Sequence, residues 1–537
     1  MNQLIKRIIA FAAMVFVGVS AFAQVTTSSM NGLITDVEGE PLAGAAVIAV
    51  HTPSGTQYAA VANADGRFVI NGMRTGGPYT VEVSFIGMET VEITDVMLKL
   101  GDPYELNLNM KSSETLDAVY VVSDKSFNAT KTGAGDHFGH TAVETMPNVD
   151  HSIYDIIKYS PQASLTKSGS GISFAGSNNR YNSFQIDGAI ANDSFGLSTT
   201  GTNGGQAGAD PIALDAVEEI QIVVAPFDVR QSGFTGGAMN VITKSGTNRL
   251  KGSAYGYYSN QDLIGTTPGP IEDGKERTKY TDELIARAGF TLGGPIIKNK
   301  LFFFASGEYY KKSYPNIYTP ALDAYPNYFS NTSAIGVDGA EDYQDVTFPV
   351  VVNGVTTNLN RAEFVGSKFN TTMADAIMNQ YEQVYKPGEG YSESYTPHQK
   401  NEISMNALLR LDWNINTDNK LMFRYQFAHG NVDKYKSDRY TYYFNNSSYN
   451  QVNFTNSFVL ELNSRLSEMV TNEARATAVF VRDRRDYPYK GACIYITGDT
   501  YTIDLGTEYS SGYNAMYSDT YTLTDNVSIL AGKHNTI

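Results

Sequence analysis

The chain has 537 residues and a formal net charge of −16, from 56 acidic and 40 basic side chains. That balance excludes nucleic acid as a main partner, since binding it needs clustered Lys and Arg. A single cysteine excludes an intramolecular disulfide framework, while 36 Tyr, 26 Phe and 48 Gly suit β-structure with turns and an aromatic interface.

Lys6 and Arg7 precede an apolar run from Ile8 to Val19. Ala21 and Ala23 then supply the small residues of a peptidase site ahead of Gln24. This is the pattern of a secretory signal over residues 1–23. The run falls short of the roughly 20 apolar residues a membrane-spanning helix needs, and no later run reaches that length. Gln24 in place of a cysteine argues against a lipid anchor.

Residues 24–111 read as a small β-sandwich. Strand-forming runs at Ala45–His51, Arg67–Ile70, Tyr79–Phe85 and Glu105–Met110 are separated by turn signals at 38–41, 53–55, 65–66 and 76–78. Gly32, Asp36, Gly39, Pro41, Leu42, Gly44 and Ala45, followed by Asp65-Gly66-Arg67-Phe68, resemble the carboxypeptidase-regulatory-like domain. The resemblance implies a transthyretin-like sandwich that is not itself a peptidase. His51 is the one histidine of the segment, so no zinc set is present there.

Residues 112–136 form a linker. Within it Leu116, Asp117, Ala118, Val119, Tyr120, Val121 and Val122 make a short β-branched and aromatic run between polar flanks. Such a run either adds as a strand to the edge of a partner's sheet or serves as one more strand of the preceding sandwich. It resembles the TonB box that precedes the plug of TonB-dependent receptors.

Residues 137–248 read as a compact α+β unit. A helix is expected at Ser152–Tyr159, capped by Asp150 or Ser152, with Ile153, Ile156 and Ile157 on one face and Pro161 as its stop. Gln185, Ile186, Asp187 and Gly188 read as a strand ending in a tight Asp-Gly turn. Ala213–Ile222 is a short helix or turn entering a strand. The block Ala225–Asn240 carries Gly233, Phe234, Gly236 and Gly237, glycines suited to close backbone approach. These blocks resemble the TonB-dependent receptor plug, in particular its Oar-like branch.

From residue 249 to 537 the pattern changes to long alternating strands. Ile403, Met405, Ala407, Leu409, Leu411 and Trp413 line one face, and Ser404, Asn406, Leu408, Arg410, Asp412 and Asn414 the other. Leu284–Gly293, Leu421–Phe427 and Val452–Asn463 alternate likewise. Eight such strands are expected, near 249–259, 283–294, 300–311, 402–414, 420–428, 452–463, 468–482 and 520–530. Asp525 breaks the apolar face of the last of them. Long connectors (260–282, 312–401, 429–451, 483–519) alternate with short ones (295–299, 415–419, 464–467), the asymmetry of an outer-membrane barrel. Gly293–Phe304 resembles an early hairpin of Oar-like barrels. The resemblance implies about 22 barrel strands, so the sequence is expected to be a fragment.

Competing chemistry is thin. His137 and His140 lack further ligands at a defined spacing. Gly269–Lys275 has a phosphate-loop outline, but Glu276 stands where Ser or Thr is required. No catalytic, cofactor or metal residue is assigned.

The expected fold is thus mainly β: an N-terminal sandwich, an α+β plug and the first part of a large antiparallel transmembrane barrel. The resemblance implies a non-enzymatic importer of a large or scarce substrate in the Gram-negative outer membrane. Its sandwich would face the periplasm. Its partners would be outer-membrane lipid, an extracellular substrate and the inner-membrane energy transducer TonB. Two alternatives stay open. One is a starch-utilisation-type glycan importer working with a surface lipoprotein, and the other is an adhesion or scaffold protein that transports nothing.

Overall fold

The computed structural model describes residues 25–537 apart from 113–119, 122–133, 166–170, 225–229, 232, 267–276, 278–281, 316–346, 353–354, 361–378, 382, 385–398, 437–440, 488 and 498–501. The signal expected at 1–23, with Ala21, Ala23 and Gln24, lies outside the described residues.

The first body is a two-sheet sandwich. Its strands are β1 (Ser28–Asp36), β2 (Ala46–His51), β3 (Thr56–Val61), β4 (Arg67–Met73), β5 (Gly76–Ser84), β6 (Val91–Leu98), β7 (Pro103–Glu105) and β8 (Leu108–Met110), with β9 (Tyr120–Val121) added at an edge. One sheet pairs β4, β1 and β7, with β8 also on β1; the other runs β3-β2-β5-β6-β9. Alternate residues of the two inner faces interdigitate, and Met30, Ile34, Phe68, Met73, Tyr79 and Val81 are fully buried between them. Gly76–Pro78, expected as a turn, instead begins β5, and its pairing with β6 is irregular there. A bulge lets the chain bend without leaving the sheet.

The second body is a mixed sheet with order β10-β15-β16-β13-β14. It is built from β10 (Ala134–Phe138), β13 (Ser183–Ile186), β14 (Ala189–Ile190), β15 (Val217–Val224) and β16 (Gly237–Thr243), beside a small pair β11 (Ala163–Leu165) and β12 (Ile172–Phe174). The helix forms at Ile153–Ile157; the Ser152 hydroxyl accepts from the Tyr154 amide, and Ile153, Ile156 and Ile157 are its buried face. These isoleucines pack with Ile220, Ile222, Met239 and Val241 in one core.

The third body is a nine-stranded antiparallel sheet in chain order. It comprises β17 (Lys251–Asn260), β18 (Leu284–Ile297), β19 (Leu301–Pro315), β22 (Gln399–Asn414), β23 (Asn419–Lys434), β25 (Tyr449–Arg465), β26 (Val470–Asp486), β29 (Ala515–Ala531) and the short β30 (His534–Thr536). The long connections carry their own small sheets, the hairpin β20 (Thr347–Val352) with β21 (Val355–Asn360), and β24 (Thr441–Tyr443) with β27 (Cys493–Thr497) and β28 (Thr502–Gly506). The eight long strands stand where the alternation puts them, several of them extended at the end that carries the long connections. Met405, Leu409 and Trp413 are exposed on the outer face, while Ser404, Asn406, Arg410 and Asp412 are buried on the inner face. An apolar outer band with a polar interior is what a lipid-facing wall requires. Asp525 stands exposed on the outer face of β29, paired with Ala474.

Candidate functional site at the plug and wall interface

The second body is lodged against the inner face of the wall. Its core continues into wall residues Phe304 and Leu408, and Ala189 packs with Met422, Val459, Val479 and Val481.

The polar centre of this interface is the Asp187-Gly188 turn joining β13 to β14. Asp187 has φ +46° and Gly188 φ +74°, a left-handed pair that an Asp-Gly sequence tolerates. The Asp187 carboxylate accepts from the Thr243 amide (3.0 Å) and the Thr243 hydroxyl (2.8 Å). Two wall guanidiniums approach it, Arg410 at 3.5 Å and Arg424 at 3.4 Å. A third, Arg475, lies against Gly188 so closely that a Cβ there would overlap the guanidinium. Arg410 is also held by both oxygens of Asp412 (3.0 Å each) and donates to the Thr243 carbonyl (3.0 Å). Arg475 donates to Glu461 (2.8 Å) and Glu473. Forked guanidiniums and carboxylates of this kind fix geometry as well as charge.

The other members of the plug motif lie elsewhere. Gln185 and Ile186 are buried within β13. Gly233 has φ +85° and Phe234 is half-buried. Gly236 and Gly237 pack where a side chain has no room, since a Cβ on Gly237 would stand 2.6 Å from the Phe174 side chain. The amides of Thr235 and Gly236 donate to the Tyr181 carbonyl. The structure therefore brings Asp187 and Gly188 to the wall and places Gly233–Gly237 in plug packing.

Of the candidate coupling segment, Leu116–Val119 and Val122 lie outside the described residues. Tyr120 and Val121 form β9, paired parallel with Val91 and Glu92 on the edge of the sandwich. The chain re-enters the described structure at Ala134, in β10, the edge strand of the plug sheet, which pairs antiparallel with β15 over five residues.

His137 and His140, weighed earlier as metal ligands, take separate carboxylates. His140 faces Glu144 and Glu218. His137 bridges Asp102 of the sandwich and Glu219 of the plug, each at 3.3 Å. Burial opposes the charged ring, but hydrogen bonds and charge from Asp102 and Glu219 outweigh it and raise the His137 pKa. The Asp102–His137–Glu219 bridge is therefore fully formed below the free-histidine value of about 6.5 and weakens as pH rises through the docked value. The Glu219 carboxylate also accepts from the Leu100 amide at 3.0 Å. Hydrogen-exchange protection of that amide is expected to fall as pH rises above about 6.5 beyond the intrinsic trend, and His137→Asn to abolish the excess. An identical slope in the variant would refute the bridge.

The alternation puts Arg410 and Asp412 on one polar face; the structure turns Arg410 onto the plug and Asp412 toward Arg410 and Arg74 of the sandwich. Arg475 went unremarked, although Glu473, Arg475 and Thr477 alternate with Ala474, Ala476 and Ala478. A charged residue repeatedly opposite alanines is the available signal for an inner face.

A lipid-facing wall with a folded body held to its inner face by ion pairs is the arrangement of an outer-membrane β-barrel protein. The chain belongs to the outer membrane beta barrel domain family, whose model matches residues 242–536, and a carboxypeptidase regulatory-like domain model matches residues 29–111. It is a homologue of the TonB-dependent transporter Oar of Myxococcus xanthus, 24% identical over 306 residues, 55% of this chain and 27% of that protein. A probable TonB-dependent siderophore receptor, PirA of Acinetobacter baumannii, is 31% identical over 132 residues, 24% of this chain and 14% of that one. The solved outer membrane transporter YddB from Escherichia coli aligns with a TM-score of 0.46 at 13% identity, over 74% of this chain and 45% of that chain. The chain thus spans less than half the length of each. The family and the similarity to Oar place it in the Gram-negative outer membrane.

Proposed function

We propose that this chain supplies the plug and adjoining wall of a TonB-dependent transporter, which imports a solute by binding and conformational gating without a covalent step. The observation that carries the reading is the Asp187-Gly188 turn held among Arg410, Arg424 and Arg475 of the wall. An adhesin or scaffold barrel has no need of a folded body clamped inside it.

In this reading residues 116–122 add as a strand to the sheet of an inner-membrane energy transducer, main-chain hydrogen bonds supplying the affinity. Tension then reaches the plug at Ala134. Because β10 is an edge strand, it is held in the sheet by β15 alone and can leave without breaking another strand pairing. Loss of β10 also frees Glu219 from His137. The Asp187 clamp sits on β13–β14, at the far side of the same sheet, so the plug stays anchored while its near edge opens. Outer-membrane lipid contacts the apolar band, and the substrate is met from the side of the long connections.

The experiment is titration of a peptide spanning residues 113–124 into the purified periplasmic domain of the transducer. Saturable one-to-one binding is expected, with none for the Val121→Pro peptide, because proline removes a ladder donor. Absence of binding by the native peptide overturns the reading.

A further inference from the structure

Beneath the plug lies a chamber of about 620 Å³. Plug residues Asp215 and Glu218 face it from above, wall residues Asp412 and Lys420 from the side, and sandwich residues His51 and Arg74 from below. The sandwich is set into the end of the wall that carries the short turns. Asn414 donates to the Thr56 hydroxyl (3.0 Å), Asn71 to the Thr471 hydroxyl (2.9 Å), Asn63 to the Gly532 carbonyl (2.8 Å), and the Asn248 amide to the Pro53 carbonyl (2.9 Å). Thr26 reaches the inner-face carboxylate of Glu461 at 2.7 Å. Against the plug, the tip of the β6–β7 turn is a peg. Leu100 is fully buried with Val25 and Ile242, its amide donates to Glu219, and its carbonyl accepts from Gln221 (2.9 Å).

We propose that the sandwich is a second gate in series with the plug: docked, it closes the chamber at the short-turn mouth of the barrel, and a pull on the coupling segment lifts it. The proposal rests on the transporter reading above. Two features make this a gate and not a fixed floor. First, the seam is largely polar, its neutral hydrogen bonds joined by the Arg74–Asp412 ion pair (3.5 Å) and by Thr26 on Glu461, and polar interfaces between domains of one chain permit relative motion. Second, the coupling segment itself rests on the sandwich, and the chain beyond it is tied to the sandwich again. Tyr120 and Val121 lie on the edge of β6, and the strand that follows the linker contacts Asp102 through His137. A pull on residues 116–122 acts on the sandwich as directly as on the plug. Opening the plug alone would deliver a solute onto the docked sandwich, so in this proposal the sandwich lifts in each cycle.

The test uses Asn71→Cys with Thr471→Cys in the full-length receptor in the outer membrane, with the chain's one cysteine, Cys493, replaced by serine. Thr56→Cys with Asn414→Cys is a second, independent pair. The rate of disulfide formation across the seam is compared in energised cells and in cells treated with a protonophore. Ready cross-linking is expected in the de-energised cells, slowed several-fold by energisation. Deleting residues 116–122 should remove the difference. If neither pair cross-links, the docking is wrong. If both cross-link at the same rate with and without energy while the 113–124 peptide still binds the transducer, the sandwich is no gate and the transporter reading stands. If the peptide does not bind, both fall together.

Discussion

Replacing Asp187 by alanine is expected to weaken the hold of the wall on the plug by ~3–5 kcal/mol, the usual cost of stranding one partner of a buried ion pair. The Asp187 side chain is 1% exposed and that of Arg424 is 0% exposed. Arg424 otherwise meets the neutral groups of Gln426 and Ser457, and Asp187 is its one ion-pair partner among the described residues. Arg410 keeps Asp412 when Asp187 is lost, so the stranded charge is that of Arg424. The Thr243 amide and hydroxyl lose their acceptor in the same step. Urea unfolding of the plug inside the intact barrel measures the effect, and Asp187→Ala with Arg424→Met should recover much of the loss. A loss below about 1 kcal/mol would mean that Arg424 is solvated, since exposed pairs contribute no more than that.

Gly32→Ala is expected to destabilise the sandwich by at least ~3 kcal/mol, the upper end of what overpacking costs. β1 pairs with β7 as far as Asn31–Glu105 and with β8 from Ile34–Leu108. Between them the chain crosses over Gly32, with the Leu106 amide bonded to the Asn31 carbonyl at 2.7 Å. A Cβ on Gly32 would overlap the Leu106 carbonyl and stand 3.0 Å from the Phe68 ring. The obstruction is backbone on a central strand, so no rotamer change relieves it. Thermal melting of residues 25–112 reads the loss. Gly39→Ala is the control: Gly39 has φ +88° with open space around it, so the cost there should be only about 1 kcal/mol of backbone strain.

How much of this was legible in the sequence depends on what enforced each feature. The wall was legible because lipid and interior impose opposite demands on alternate residues, so Met405, Leu409 and Trp413 declare one face. Strand ends were not: β22 begins at Gln399 and β29 at Ala515, in stretches where the alternation carries no apolar signal. The plug turn was legible because Asp-Gly has few other uses between β-rich runs. Three sandwich strands, Ser28–Asp36, Thr56–Val61 and Val91–Leu98, gave little warning. Their Ser, Asn, Thr and Glu residues are held by pairing, and the inward residues alone carry the pattern. Contacts between bodies were least legible. Leu100 with Gln221, Asn71 with Thr471, and Gly188 with Arg475 are separated by more than a hundred residues, and neither partner's local sequence announces the other. Tyr120 and Val121 sit between the two alternatives the sequence left open, since a strand resting on the sandwich edge is also a strand that a partner can take.

The central claim is that this chain is coupled to an energy source through residues 116–122. It is tested most directly by a photo-reactive amino acid at position 120 of the full receptor in living cells. The account predicts an adduct with the inner-membrane energy transducer, lost with Val121→Pro, and a second adduct with the sandwich edge that dominates when the transducer is absent. A correctly inserted receptor that gives only the sandwich adduct, with or without the transducer, would contradict it.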